Sequence, residues 1–239
     1  MSKVYTKIIN QIKEKTHLLA VLIDPDKFDI NTIIQANKTA DLFLVGGSVL
    51  KNGELKKCIT LIKKHTQLPI IIFPGDNNQL DNRADALLLL SLISGRNPDY
   101  LIGKHVEVAR KIKQSKQEVI PTGYILVDGG KTSATQKVSK TKPIKNTDLK
   151  TIVDTAIAGE LLGMKFIYLE AGSGAKQPLK QNLIKQVKQH ISVPLLVGGG
   201  IDSKAKVESA KKAGATIIVI GNALEKNISL LNDIKNCFT

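Results

Sequence analysis

Eight short apolar runs, separated by amphipathic stretches and spread over 239 residues, predict an α/β chain closed into a TIM (β/α)8 barrel. Three observations carry this. The length lies close to the roughly 250 residues of one such barrel and is short for two complete domains, so a single domain over 1–239 is expected. The apolar runs are nearly continuous, as the strands of a parallel sheet buried on both faces must be. Each run ends in glycine or a polar residue, and most are followed by helical periodicity, the signature of βα repetition. An open flavodoxin-like sheet is the alternative. It is disfavoured because no Gly-x-Gly-x-x-Gly turn follows the first run.

The first sixteen residues read as an extra N-terminal helix. Strands then follow at 17–24 (HLLAVLID), 40–47 (ADLFLVGG), 68–75 (LPIIIFPG) and 84–93, and again at 118–130, 165–174 (KFIYLEAGSG), 193–200 (VPLLVGGG) and 216–222 (TIIVIGN). Amphipathic helices are expected at 30–39, 54–66, 98–116, 148–162, 179–190 and 203–213, with a last one after Asn222. The third gap breaks the rule. Residues 76–83 (DNNQLDNR) are too polar and too few for a crossover helix, so a loop replaces the third barrel helix. Residues 131–148 (KTSATQKVSKTKPIKNTD) are lysine-rich without apolar periodicity, and they read as a long mobile loop after the fifth strand. Long loops on that face are commonly lids.

Composition narrows the function. Hydrophobic residues make up 42% and aromatics only 4%, with no tryptophan, so the core is built from Ile, Leu, Val and Ala. Cys58 and Cys237 have no metal or redox spacing and suit a reduced cytoplasmic compartment. No signal peptide is visible at the N-terminus, and the apolar run 84–93 is about half the ~20 residues that span a bilayer. A soluble, cytoplasmic protein is expected. Basic residues number 35 against 21 acidic, a net +14, which draws in anions. The lysines are scattered over helices without interleaved aromatics, so nucleic acid is not the expected partner. A substrate that is anionic at one end and greasy at the other fits better, and the charge leaves room for transient contact with a membrane surface.

Two glycine turns give the strongest local signal. Val197-Gly198-Gly199-Gly200-Ile201 and Ile220-Gly221-Asn222-Ala223 end the last two strands, where such barrels commonly hold phosphate with backbone N–H groups. On the sixth strand, alternation puts Phe166, Tyr168 and Glu170 on one face and Ile167 and Leu169 on the other. If the second face meets the helices, Tyr168 and Glu170 point into the barrel mouth. A structural ion pair is the plainer role for Glu170, but a carboxylate at that strand end favours catalysis. Gly172, Ser173 and Gly174 would then curl towards an anion. Asp24 shares the parity of Ala20 and Leu22, and an inward carboxylate there could hold Mg²⁺. It could instead cap the next helix, a task open also to Asp26 or Asp29. Ser48, after Gly46-Gly47, is a weaker candidate metal ligand and otherwise an N-cap. The four histidines have no ligand spacing.

The segments LIDPDK (22–27), VGGS (45–48), FPG (73–75), ADALLLLSLISGRNPDYLIG (84–103), YLEAGSGA (168–175), VGGGI (197–201) and IGNA (220–223) together resemble the geranylgeranylglyceryl phosphate synthase family. The likeness covers nearly the whole chain. It is nearer the branch found in certain bacteria and many archaea than the related heptaprenylglyceryl phosphate synthases. It implies transfer of a prenyl group from geranylgeranyl diphosphate to the 3-hydroxyl of sn-glycerol 1-phosphate, with Mg²⁺ as cofactor. It implies Asp24 and Ser48 as metal residues, and Tyr168, Leu169, Glu170, Ala171, Gly172, Ser173, Gly174, Gly199, Gly200, Gly221 and Asn222 as the glycerol phosphate site. Glu170 would act on the glycerol hydroxyl, and Tyr100 and Tyr124 would line a groove for the prenyl tail. It also implies a homo-oligomer, dimer or hexamer. The heptaprenyl branch has a substrate-binding lysine where this chain has Leu22, so phosphate must rely on backbone amides or on a lysine such as Lys131. The competing readings are another phosphate-binding barrel, such as a sugar-phosphate isomerase, and a heptaprenyl-length transferase.

Overall fold

The computed structural model describes residues 3–238. Eight parallel strands close into a barrel in sequence order: β1 (Leu18–Ile23), β2 (Leu42–Val45), β3 (Ile70–Ile72), β4 (Ala86–Leu92), β5 (Glu118–Leu126), β6 (Phe166–Glu170), β7 (Leu195–Gly198) and β8 (Ile217–Ile220). β8 returns to pair with β1. The side chains divide by strand parity, as the pleat requires. Ala20, Leu44, Ile71, Leu88, Tyr124, Tyr168, Leu196 and Val219 pack together inside the barrel. Val21, Phe43, Ile72, Ile125, Leu169, Val197 and Ile218 pack outward against the helices.

Among the described residues, ten α-helices surround or cap the barrel: α1 (Val4–Lys15), α2 (Ile30–Ala36), α3 (Leu55–His65), α4 (Lys104–Gln114), α5 (Ala134–Ser139), α6 (Leu149–Leu161), α7 (Gln181–His190), α8 (Lys204–Lys212), α9 (Asn222–Lys226) and α10 (Leu230–Ile234). The extra helix α1 closes the N-terminal end of the barrel. Ile8 joins the interior cluster, and the Tyr5 ring meets Phe166 with centroids 5.5 Å apart. Residues 1 and 2 of its expected range lie outside the described residues.

Two departures from a regular barrel matter for the site. Among the described residues no helix joins β3 to β4, as the polar 76–83 segment predicts. The expected single helix over 98–116 begins instead with a π-helical turn, Asp99–Gly103, that runs into α4; such wide turns frequently mark functional positions.

The expectation of a loose 131–148 loop is corrected. The segment carries α5 and a parallel bridge between Val127 and Ile144. Ser133 and Ser139 are buried, Tyr100 donates its hydroxyl to the Val138 carbonyl at 3.0 Å, and Asn97 donates to the Ser139 carbonyl at 3.1 Å. Its lysines face outward while its small polar residues find partners inside, a division invisible to hydrophobic periodicity. No helix among the described residues is long and apolar enough to cross a membrane.

Candidate active site

Strand β6 delivers its two polar residues to the C-terminal mouth, as parity predicts. Tyr168 donates its hydroxyl to Glu170 Oε2 at 2.6 Å, and the Gly172 amide donates to Oε1 at 2.8 Å. Both side chains are buried. Burial raises the Glu170 carboxyl above its ordinary value, and the two hydrogen bonds only partly oppose this. Desolvation first, then the nearby Glu170 charge, pushes the Tyr168 hydroxyl far up, so it remains a neutral donor. A buried carboxylate with raised basicity, fixed by two donors, can still accept a proton from a third group. Leu169 and Ala171, alternating with these residues, turn into the outer core and offer the site only backbone.

The glycines around this pair have two kinds of work. A Cβ at Gly198 would collide with the Tyr168 hydroxyl and lie 2.7 Å from Glu170 Oε2. One at Gly199 would lie 2.5 Å from Oε1 and 2.9 Å from the Gly172 nitrogen. These two positions therefore make room for the carboxylate. Gly172, Gly174, Gly199 and Gly200 all have positive φ, a conformation that favours glycine. They bring the loops after β6 and β7 against each other: the Cβ position of Gly199 lies 2.8 Å from the Ala171 nitrogen, and that of Gly200 lies 3.0 Å from Pro178. Ser173 Oγ donates to Asn222 Oδ1 at 2.9 Å, joining the β6 and β8 loops. Gly221 has an ordinary negative φ; an added Cβ would lie 3.3 Å from Leu22. Lys131 Nζ lies 3.8 Å from the Cβ position of Gly174, a cation beside the glycine loops.

Across the mouth, Asp24 follows β1. All three aspartates of this segment accept backbone amides, and Asp24 does take the capping role open to it. Asp29 caps α2 through the amides of Asn31 and Thr32, and Asp26 accepts from the amides of Lys51, Asn52 and Gly53. Asp24 caps the 3-10 turn that follows it, Pro25–Lys27, accepting the Asp26 amide at 3.0 Å through Oδ1, which leaves Oδ2 for other partners. Burial raises its carboxyl, partly offset by that bond and by Lys27. The carboxylate lies over Gly47, 3.1 Å from a Cβ there, next to Ser48.

Gln79 is a residue that sequence reasoning missed. Buried within the polar 76–83 loop, it receives the Gly47 amide at 3.2 Å and the Gly75 amide at 3.3 Å, and donates to the Gly47 carbonyl at 2.6 Å. It thereby pins the loop bearing Ser48. A lone glutamine among Asp and Asn residues gives no sequence signal for this.

Where the third barrel helix is missing, a mainly apolar groove opens at Ser48. Phe73, Leu88, Leu90, Tyr100, Val108 and Tyr124 are among its walls. The two tyrosines expected to line such a groove do so. Helix α4 runs back from the mouth, so Val108 and Ile112 lie progressively deeper; from Lys104 to Ile112 the descent is about 12 Å.

A parallel barrel that gathers a buried carboxylate, glycine-rich loops and an apolar groove at its C-terminal mouth defines a class, the TIM-barrel enzymes. Within it, residues 10–237 match the model of the PcrB family, and the chain belongs to that family. It is 46% identical over 229 residues to the geranylgeranylglyceryl phosphate synthase of Zunongwangia profunda, covering 94% of this chain and 98% of that one. It is 40% identical over 225 residues to the enzyme of the same name from Pyrococcus furiosus, covering 92% and 89%. The crystal structure of (S)-3-O-geranylgeranylglyceryl phosphate synthase from Thermoplasma acidophilum, in complex with its substrate sn-glycerol-1-phosphate, superposes with a TM-score of 0.91. The identity there is 29%, covering 98% of this chain and 96% of that one.

Proposed function

We propose that this protein transfers a geranylgeranyl group from its diphosphate to the 3-hydroxyl of sn-glycerol 1-phosphate, giving geranylgeranylglyceryl phosphate and diphosphate. The observation that carries the reading is the apolar groove ending beside the Glu170 pocket. A sugar-phosphate isomerase would share the glycine turns but has no use for such a groove. The names and bound substrate of the relatives support the same substrates here.

In this reading, the loops at Gly172–Gly174, Gly199–Gly200 and Gly221–Asn222 bind the phosphate of sn-glycerol 1-phosphate through backbone N–H groups, with Lys131 beside them. Tyr168 and Glu170 orient the glycerol hydroxyl. The bond between allylic C1 and the diphosphate oxygen breaks, and its electron pair leaves with diphosphate. The glycerol oxygen then bonds to C1, and Glu170 accepts the proton. Positioning and preformed electrostatics supply most of the rate.

Among the described residues no cluster of three or more His, Cys, Asp or Glu could hold a metal by itself. The donor set of Asp24 and Ser48 nevertheless fits Mg²⁺, which typically takes one or two carboxylates and completes its shell with substrate phosphates and water. Bound there, Mg²⁺ would neutralise charge on the departing diphosphate. Homo-oligomer formation belongs to the same reading, supported by the exposed Leu161 and Leu162 side chains. The net charge of +14 supports transient contact with an anionic membrane surface.

The test is an assay of purified protein with Mg²⁺, sn-glycerol 1-phosphate and a ladder of prenyl diphosphates, read by mass spectrometry. The prenyl ether of glycerol phosphate is expected, with the C20 donor preferred. A C35 preference would replace the donor, and no ether from any donor would overturn the function.

A further inference from the structure

The groove meets the Glu170 site at three aromatic rings, of which only Tyr168 has been given a part, through its hydroxyl. Phe73 follows β3, Tyr124 lies on β5 and Tyr168 on β6, with Tyr124 and Tyr168 as register partners. Ring centroids are 5.2 Å apart for Tyr124–Tyr168, 5.5 Å for Phe73–Tyr168 and 6.1 Å for Phe73–Tyr124, at interplanar angles of 78°, 60° and 49°. No ring is stacked flat on another. The chain has only five phenylalanines and four tyrosines, and three of these nine rings meet at this one junction. Phe73 and Tyr124 face the groove, while Tyr168 is bonded to Glu170.

These positions locate the reacting carbon, given the function proposed above, on which this inference rests. The diphosphate lies by Asp24 and Ser48, the tail lies in the groove, and the attacking hydroxyl is at Glu170. Allylic C1 then lies at the groove end of the ring cluster, against Phe73 and Tyr124, the two rings that line the groove. Charge appearing there is shielded from water, because Tyr124 and Tyr168 are 6% and 1% exposed. The negative face of an aromatic ring stabilises a cation most where water is excluded.

We propose that Tyr124, with Phe73 and Tyr168, stabilises the positive charge that develops on C1 to C3 of the allylic chain as diphosphate departs. Burial keeps the Tyr124 hydroxyl protonated, so it does not compete with the glycerol oxygen for C1. The role is electrostatic and belongs to the chemical step, not to tail binding.

The test replaces Tyr124 with phenylalanine and then with mono-, di- and trifluorophenylalanine, which keep the ring's shape while draining its face of negative potential. Single-turnover rates are measured with Mg²⁺, sn-glycerol 1-phosphate and geranylgeranyl diphosphate. Tyr124→Phe should stay within about threefold of the parent. Each fluorine should then slow the step, to about tenfold or more for the trifluorinated ring, with the concentrations that give half the maximal single-turnover rate little changed. The same fluorinated series at Phe166, a buried interior ring one step deeper on β6, should be flat. A flat series at position 124 would overturn the proposal, even if Tyr124→Leu were slow, because the ring would then only fill space. A parent protein that makes no prenyl ether would remove the proposal together with the function beneath it.

Discussion

The two halves of the barrel mouth solve opposite problems. On the β6–β8 side, backbone does the work: positive-φ glycines bring amides together, and Gly198 and Gly199 leave space for one buried carboxylate. On the β3–β4 side, the chain omits a helix, and side chains from β4, α4 and α5 wall an apolar groove. The first half is built mainly from the backbone of the loops at 171–174, 198–200 and 221–222. The second is assembled from distant segments and suited to a long tail. A barrel can therefore join a polar and a greasy substrate by tightening one side of its mouth and uncovering the other.

The comparison breaks most sharply at Asp24, which stands between the halves. Asp24→Ala should lower turnover by at least about 10³-fold, since charge on a leaving group would go unanswered. Heat stabilisation by sn-glycerol 1-phosphate should survive, because that site lies on the other side. Loss of both activity and phosphate binding would merge the two halves into one site.

Glu170→Gln should lower kcat by about 10²–10⁴-fold with little change in glycerol phosphate affinity, the usual contribution of a positioned base. In the parent, the acid limb of kcat/KM should lie above the ordinary carboxylate value of 4.5, because burial raises this group; in the variant it should vanish. A raised folded-state value also means that stability falls as pH rises from about 4.5 through that value. The glutamine variant should therefore melt higher than the parent at neutral pH, by roughly 2–4 °C per kcal/mol released, and the gain should shrink at pH 4. Near-normal kcat with weakened glycerol phosphate binding would make Glu170 a binding residue only.

On the groove side, Val108→Trp should raise KM for a C20 donor about tenfold or more while leaving a C10 donor unaffected, since Val108 lies part-way down α4. Equal effects on both lengths would place the tail elsewhere. The smallest expected effect is Ser173→Ala, which removes the bridge to Asn222 and should weaken glycerol phosphate by about three- to tenfold, the worth of one hydrogen bond.

The same division governs what was legible in sequence. The eight strands, the missing helix at 76–83 and the Tyr168–Glu170 parity were readable, because apolar runs, polarity and alternation are local signals. So were the turns at 198–200 and 221–222, although the space-making role of Gly198 depends on where Tyr168 and Glu170 pack. Gln79 was not legible, since its bonds to Gly47 and Gly75 span thirty-two residues of sequence in one case. Nor was α5, a six-residue helix held by Tyr100 and Asn97 from another element. The groove's deeper wall arises only when α4 folds back against β4.

The most direct test of the two-sided mouth is a crystal structure with sn-glycerol 1-phosphate and an unreactive thiolodiphosphate analogue of the prenyl donor, both bound. The account predicts phosphate against Gly172–Gly174, Gly199–Gly200 and Gly221–Asn222, the hydroxyl within hydrogen-bond reach of Glu170, and the tail between Leu88, Leu90 and Val108 with C1 beside Tyr124. A tail lying outside that groove, or a glycerol phosphate bound away from Glu170, would contradict it.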